Sequence, residues 1–403
     1  MRILWCSDHP AATSGYSVQT ALTAPRLQRA GIADVALLAS YGQHGHISEY
    51  AGLRVYPGGH DSFGQDVIPD AAKDWRADIV ITLKDSFVYK PETFRGFRWC
   101  PLTPVDHDPA PPAVVAALRG AYSPIAYAPN GVRSLRREGF DPLYAPHGFD
   151  SNQFWPMDKG EARRTLGLPE DAFIVGTVAV NRGGLPSRKA WDELLAGVGM
   201  FRKDNPDVKT LYLTHTHPAD DGHEGGIPLR QVANDHGIAD ITLFPHVSNY
   251  RMGVSPDHLR LVYNAMDVLL AVSLGEGFGI PTLEAQACGV PVIAGRWAAQ
   301  TDLVWSGWFV ETDEAHRYRT TQMSYVYMPE PEAIADRIQQ AYAARGSAVL
   351  REQAIQGAAP YQIDRVVAEH WKPMLEQLER RIARERSVPR GVVRIVTPRE
   401  VLA

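Results

Sequence analysis

The stretch Val268–Ala294, VLLAVSLGEGFGIPTLEAQACGVPVIA, constrains this chain more than any other. Val268–Val272 is an apolar, branched run of the length of a buried parallel strand. A loop with glycines at 275, 277 and 279 follows. The spacing predicts a helix starting near Pro281, where proline's missing N–H is not needed, and ending at Gly289. Val290–Ala294 then predicts a second strand. An open sheet built of such strand–loop–helix–strand units binds its ligands at the carboxyl ends of the strands.

The residue types in the loop say which ligand. A helix N-terminus offers unpaired N–H groups and the positive end of a dipole, which suit a phosphate. Gly277 and Gly279 let a ligand lie against bare backbone. Glu276 on the loop and Glu284 in the helix add two carboxylates, each able to accept two O–H donors, as vicinal hydroxyls require. An anion combined with polyols describes a nucleotide-sugar.

Glu276, seven intervening residues and Glu284, within EGFGIPTLEAQACGVPVIA, together resemble the signature of retaining glycosyltransferases of family 4. Those enzymes have the GT-B fold, two Rossmann-like domains facing across a cleft. The resemblance implies an acceptor-binding domain over 1–152, completed by a C-terminal helix at about 361–403, and a nucleotide-sugar-binding domain over 153–360. It implies retaining transfer of a hexosyl or pentosyl unit from a nucleoside-diphosphate sugar to an acceptor hydroxyl whose class the motif leaves open. No cofactor beyond the donor is expected, and no metal where lysine and arginine neutralise the diphosphate.

The resemblance also assigns roles. Glu276, with the backbone of Gly277, Phe278 and Gly279, is expected to grip the sugar, and Glu284 the ribose. Arg188 and Lys189, in the loop Asn181–Lys189, are expected to clamp the diphosphate, with Arg182 a second candidate. Cations there stabilise charge that grows on the leaving group, and two bases at a helix start otherwise oppose its dipole. His107, after the strand Trp99–Val105, is expected beside the transferred sugar. Ser14 and Gly15 stand where the family often has a glycine pair, in a loop facing the cleft. His246 follows the strand Ile241–Phe244 and is expected to line the base pocket.

Composition bounds the rest. The 403 residues are 45% hydrophobic and 22% charged, as in globular proteins, and the net charge of −5 gives no case for tight nucleic-acid binding. No apolar run approaches a membrane span, and MRILWCSD reads as a first strand rather than a signal peptide. Cys6, Cys100 and Cys288 are odd in number and far apart, which favours reduced thiols and a cytoplasmic protein.

Several patterns point to packing or leave alternatives open. Tyr16–Ala30 has helical spacing, with Val18, Leu22 and Leu27 on one side. Arg133, Arg136 and Arg137 read either as a solvated face or as contacts for an anionic acceptor. Ser255-Pro256-Asp257 is a helix start. Tyr361–Arg386 is a long amphipathic pattern interrupted by Pro373, and Val392–Val396 is a possible edge strand. His215, His217 and His223 keep open a metal-dependent hydrolase, and a nucleotide-sugar-binding protein without catalysis is a further alternative.

Overall fold

The computed structural model describes residues 1–220 and 225–387. Two largely parallel sheets organise it. The first has eight strands: β1 (Arg2–Asp8), β2 (Asp34–Tyr41), β3 (Ser48–Tyr50), β4 (Leu53–Pro57), β5 (Ile79–Leu83), β6 (Trp99–Thr103), β7 (Ile125–Ala126) and β8 (Leu143–Tyr144). Their order is β3-β4-β2-β1-β5-β6-β7-β8, and the edge pair β3–β4 is antiparallel. The second sheet has six strands: β9 (Phe173–Val178), β10 (Thr210–His215), β11 (Thr242–Leu243), β12 (Val268–Leu270), β13 (Val292–Gly295) and β14 (Gly307–Val310). They run β11-β10-β9-β12-β13-β14, all parallel. Strands buried on both faces need apolar residues throughout, and Ile79–Leu83 is buried at every position. This is the GT-B architecture.

The chain crosses back to the first sheet near its end. Phe149 N–H donates to the Tyr361 carbonyl (3.0 Å), and Ile363 N–H donates to that of Phe149 (2.8 Å). A Cβ on Gly148 would lie 3.0 Å from both Ile363 Cδ1 and the Tyr361 oxygen, so a side chain there would crowd the returning segment. The Gln19 side chain closes the junction, bonding both the N–H and the carbonyl of Gly148. Beyond it the helix Ile363–Val366 widens into a π turn at Val367–Trp371 and continues as Lys372–Ser387. Pro373 has no N–H for the preceding turn, which locates the irregularity. Trp371 packs on Trp5 with ring centroids 5.3 Å apart, and Leu375, Leu378 and Ile382 join the same core.

Two expectations need correction or fall away. Val18 is not on the buried side of the helix Gly15–Arg29 but 38% exposed. The buried face includes Gln19 and Thr20, whose polar atoms are satisfied: Thr20 Oγ1 accepts from Trp5 Nε1 at 3.2 Å and donates to the Tyr16 carbonyl at 2.8 Å. A hydrophobic pattern cannot register such residues. Val392–Val396 lies outside the described residues.

Candidate active site

β12 delivers the chain to the loop 271–279, which other segments brace. Trp297 Nε1 donates to the Ser273 carbonyl (2.9 Å), Gln300 Nε2 to that of Ala271 (2.8 Å), and Ala299 N–H to that of Glu276 (3.2 Å). Gly279 caps the helix Ile280–Ala287 at φ +110°, a conformation only glycine takes without strain. The helix carries Pro281 in its first turn, as its sequence predicts.

The loop also meets the segment bearing the basic residues. Leu274 N–H donates to the Arg188 carbonyl at 2.9 Å, which draws that segment to Glu276. Lys189 Nζ pairs with Glu276 Oε1, and Arg188 Nη1 lies 3.4 Å from Oε2 and 3.1 Å from the Gly275 carbonyl. Burial pushes the Glu276 carboxyl up, but Lys189 and Arg188 outweigh it and hold the group below the usual carboxylate range. Burial lowers Lys189, with Arg188 adding to it and Glu276 opposing. Lys189, Glu276, Gly279, Pro281 and Thr282 line one small pocket at the helix N-terminus. The structure thus gathers an acid, two cations and a positive dipole at one point.

The glycines serve a second purpose. A Cβ on Gly277 would lie 2.6 Å from Pro104 Cβ and 3.0 Å from Tyr127 Oη, and one on Gly275 would lie 2.1 Å from the Asp106 carbonyl oxygen. At Gly277 the space a side chain would take is therefore filled by the first domain. Phe278 is buried against the rings of His147 (5.1 Å) and Tyr127 (6.2 Å). His147 stacks on Tyr127 at 4.1 Å, and its burial pulls the imidazole down to about 3.

The other predicted residues divide. Glu284 is buried, accepts from Tyr263 Oη (2.8 Å), and is pushed up to about 7 by burial. His107 is buried with both ring nitrogens engaged, Nδ1 with Asp106 (2.7 Å) and Nε2 with Thr320 Oγ1 (3.0 Å). In this arrangement neither nitrogen is free for a sugar. Thr320 belongs to a turn between β15 (Arg317–Arg319) and β16 (Tyr325–Tyr327), a hairpin that also ties Asp108 N–H to the Tyr325 carbonyl at 3.0 Å. Ser14 caps its helix, accepting from Ser17 N–H (3.0 Å) and donating to Asp8 (2.6 Å). A Cβ on Gly15 would touch Ile280 Cδ1 at 3.4 Å, so the starts of the two helices face one another across the cleft.

Arg182 is exposed and makes no ion pair among the described residues, so the structure does not bring it to Glu276. His246 is exposed, with Nδ1 2.7 Å from Ser248 Oγ. Arg133 and Arg137 are not free for an acceptor: Arg133 pairs with Asp302 of the second domain (2.9 Å) and Arg137 with Asp108 (3.0 Å). Among the described residues no three histidine, cysteine or acidic side chains form a metal-binding group. His217 Nδ1 accepts from Ala219 N–H (2.9 Å), burial brings His215 down to about 4, and His223 lies outside the described residues.

Sequence reasoning missed the wall opposite. Tyr16 Oη donates to Asp85 Oδ2 (3.3 Å), Lys84 pairs with Asp8, and Asp106 stands beside His107. Burial raises the Asp85 carboxyl, and Asp106 adds to it. The available signal was position: Lys84 and Asp85 directly follow the buried run of β5, and Asp106 comes soon after β6, where an open parallel sheet puts its ligands.

Residues 178–343 match the family described as glycosyl transferases group 1. A D-inositol 3-phosphate glycosyltransferase from Geodermatophilus obscurus is 37% identical over 164 residues, which are 39% of this chain and 34% of that relative. The chain therefore spans about a third of the length of that curated relative. Two solved structures show the fold of the whole. Sucrose-phosphate synthase from Thermosynechococcus elongatus superposes with TM-score 0.70 at 19% identity, covering 96% of this chain and 99% of that one. Anabaena HepE in complex with UDP and glucose gives 0.64 at 16%, covering 95% and 100%. The matched region includes Arg188, Lys189, Glu276 and Glu284.

Proposed function

We propose that this chain is a glycosyltransferase that moves a sugar, with retention, from a nucleoside-diphosphate sugar to an acceptor hydroxyl. The second domain holds the donor and the first the acceptor. The observation that carries the reading is Glu276 lying against Lys189 and Arg188 at a helix N-terminus. An arriving diphosphate competes with Glu276 for both cations. Once it takes them, the carboxylate is released to accept from the hydroxyls of the sugar attached to that diphosphate. Binding the donor therefore exchanges one set of ion pairs for another, and the released carboxylate of Glu276 is held by hydrogen bonds from the sugar hydroxyls.

Chemistry follows from that exchange. Negative charge grows on the departing diphosphate, and Arg188, Lys189 and the helix dipole already face it. The two cations supply the neutralisation for which other phosphate chemistry uses a metal, so the reaction needs no metal and no cofactor beyond its donor. Glu284, one turn into the donor helix, receives the ribose. HepE, bound to UDP and glucose on the same fold, supports a donor of this class. Among the described residues no helix is long and apolar enough to cross a membrane, and the three cysteines are free and buried, in keeping with work in the cytoplasm.

Thermal-shift measurements with UDP-, GDP-, ADP- and dTDP-sugars test the donor class, since a ligand bound only by the native state raises its melting temperature. One of the four stabilises the chain, and the anomeric configuration of the product matches that of the donor. A shift with none of them, or an inverted product, overturns the proposal. Donor binding with no glycosylated product from any acceptor would favour the binding-protein alternative.

A further inference from the structure

The family match covers the donor half, and the acceptor half has a charge pattern of its own. Three carboxylates rise from the carboxyl ends of the first sheet: Asp8 at the end of β1, Asp85 after β5 and Asp106 after β6. Lys84 is the cation beside them, and its ion pair is with Asp8. Asp106 receives His107, itself tied to Thr320. Asp85 has no ion pair among the described residues, and its described side-chain hydrogen bond comes from Tyr16 Oη at 3.3 Å. Tyr16 follows Gly15, which abuts Ile280 at the start of the donor helix. Asp85 thus stands at the seam where acceptor and donor meet, within the electrostatic reach of Arg188.

We infer that the acceptor is a polyhydroxy compound with no phosphate or carboxylate near its reacting hydroxyl, and that Asp85, backed by Tyr16, holds that hydroxyl. This rests on the donor reading above. A carboxylate accepts hydrogen bonds and offers none when ionised, so it suits an O–H and repels an anion. A phosphorylated acceptor would meet Asp85 and Asp106, with Lys84 neutralised by Asp8 and with Arg188 and Lys189 taken by the donor. In the transfer the C1–O bond to the diphosphate breaks with its electron pair leaving on the diphosphate. The bond from C1 to the acceptor oxygen forms, and the acceptor proton ends on the departing diphosphate. Asp85 orients the O–H and takes no proton.

The test uses the full chain, its donor chosen by thermal shift, and matched acceptor pairs: myo-inositol against inositol 3-phosphate, and glucose against glucose 6-phosphate. Donor hydrolysis, with water as the smallest neutral acceptor, is followed in parallel. The unphosphorylated member of a pair is used at least about tenfold better, the order expected when like charges face one another. Asp85→Asn raises the acceptor KM and lowers donor hydrolysis, each by about tenfold, the worth of one hydrogen bond to a charged group, while the Kd for the nucleoside diphosphate stays constant. Tyr16→Phe does the same to a smaller degree. A wild type that prefers the phosphorylated member, or an Asp85→Asn variant with unchanged hydrolysis and transfer, overturns the inference while the donor reading stands. Failure to bind any donor would overturn the donor reading instead.

Discussion

The two halves of the cleft solve opposite electrostatic problems. The second domain presents two cations and a helix N-terminus, offset in part by Glu276 until something more negative arrives. The first presents Asp85 and Asp106, with Lys84 quenched by Asp8. Both are open, largely parallel sheets with their ligand ends facing each other, so the fold does not set the difference; side chains placed just after the strands do. The contrast teaches that two halves of one fold can present opposite charge to the same cleft. Changes at the seam should separate donor binding, transfer and domain contact.

The largest separation is expected from Glu276→Ala. Sugar transfer falls about 10²- to 10³-fold, the scale of losing one preorganised polar contact to the reacting group. The nucleoside diphosphate alone binds at least as tightly as before, because Lys189 and Arg188 no longer have a competing carboxylate. Calorimetry and initial rates give both numbers, and a parallel collapse of the two would break the proposed exchange of ion pairs.

Next comes Gly277→Ala, which puts a methyl 2.6 Å from Pro104 Cβ. Overpacking of this kind costs about 1–3 kcal/mol. A denaturant melt is expected to show that loss, and unchanged stability would mean the domains separate there at no cost.

Glu284 gives a pH dependence. Its folded carboxyl is raised from 4.5 to about 7, so the folded state holds the proton more tightly than the unfolded chain. The resulting stabilisation is complete below about 4.5 and is lost as pH rises toward 7, amounting to about 3 kcal/mol across that window. Glu284→Gln should flatten that part of the stability profile. A slope that persists in the variant would assign it to another group.

The smallest effect belongs to Thr320→Ala. One hydrogen bond to His107 is lost, worth about 0.5–1.5 kcal/mol, with donor affinity unchanged. A large drop in donor affinity would show that the hairpin shapes the donor side rather than joining the domains.

What could be read in advance follows the same division. Glu276, Gly279, Pro281 and Glu284 fall within nine consecutive residues, so a single local pattern carries both their chemistry and their conformation. The start of the helix Pro256–Ala265 was legible for the same reason: Ser255 accepts from His258 N–H, a contact within one turn. Asp85, Tyr16 and Asp106 come from separate elements and meet only once the sheet has formed, so no local pattern announces them. The hairpin Arg317–Tyr327 was equally hidden, since its strands have three residues each and its anchors lie on the Asp106–Pro109 loop. The second purpose of Gly277, clearance for Pro104 and Tyr127, depends on a contact between domains.

The most direct test of the central claim is calorimetric titration of UDP, GDP, ADP and dTDP into the wild type and Lys189→Ala. The account predicts that one of the four binds the wild type. It also predicts that this affinity falls about 10- to 100-fold in the variant, as befits loss of a charge-assisted contact to phosphate. Equal affinity in the two proteins would contradict it.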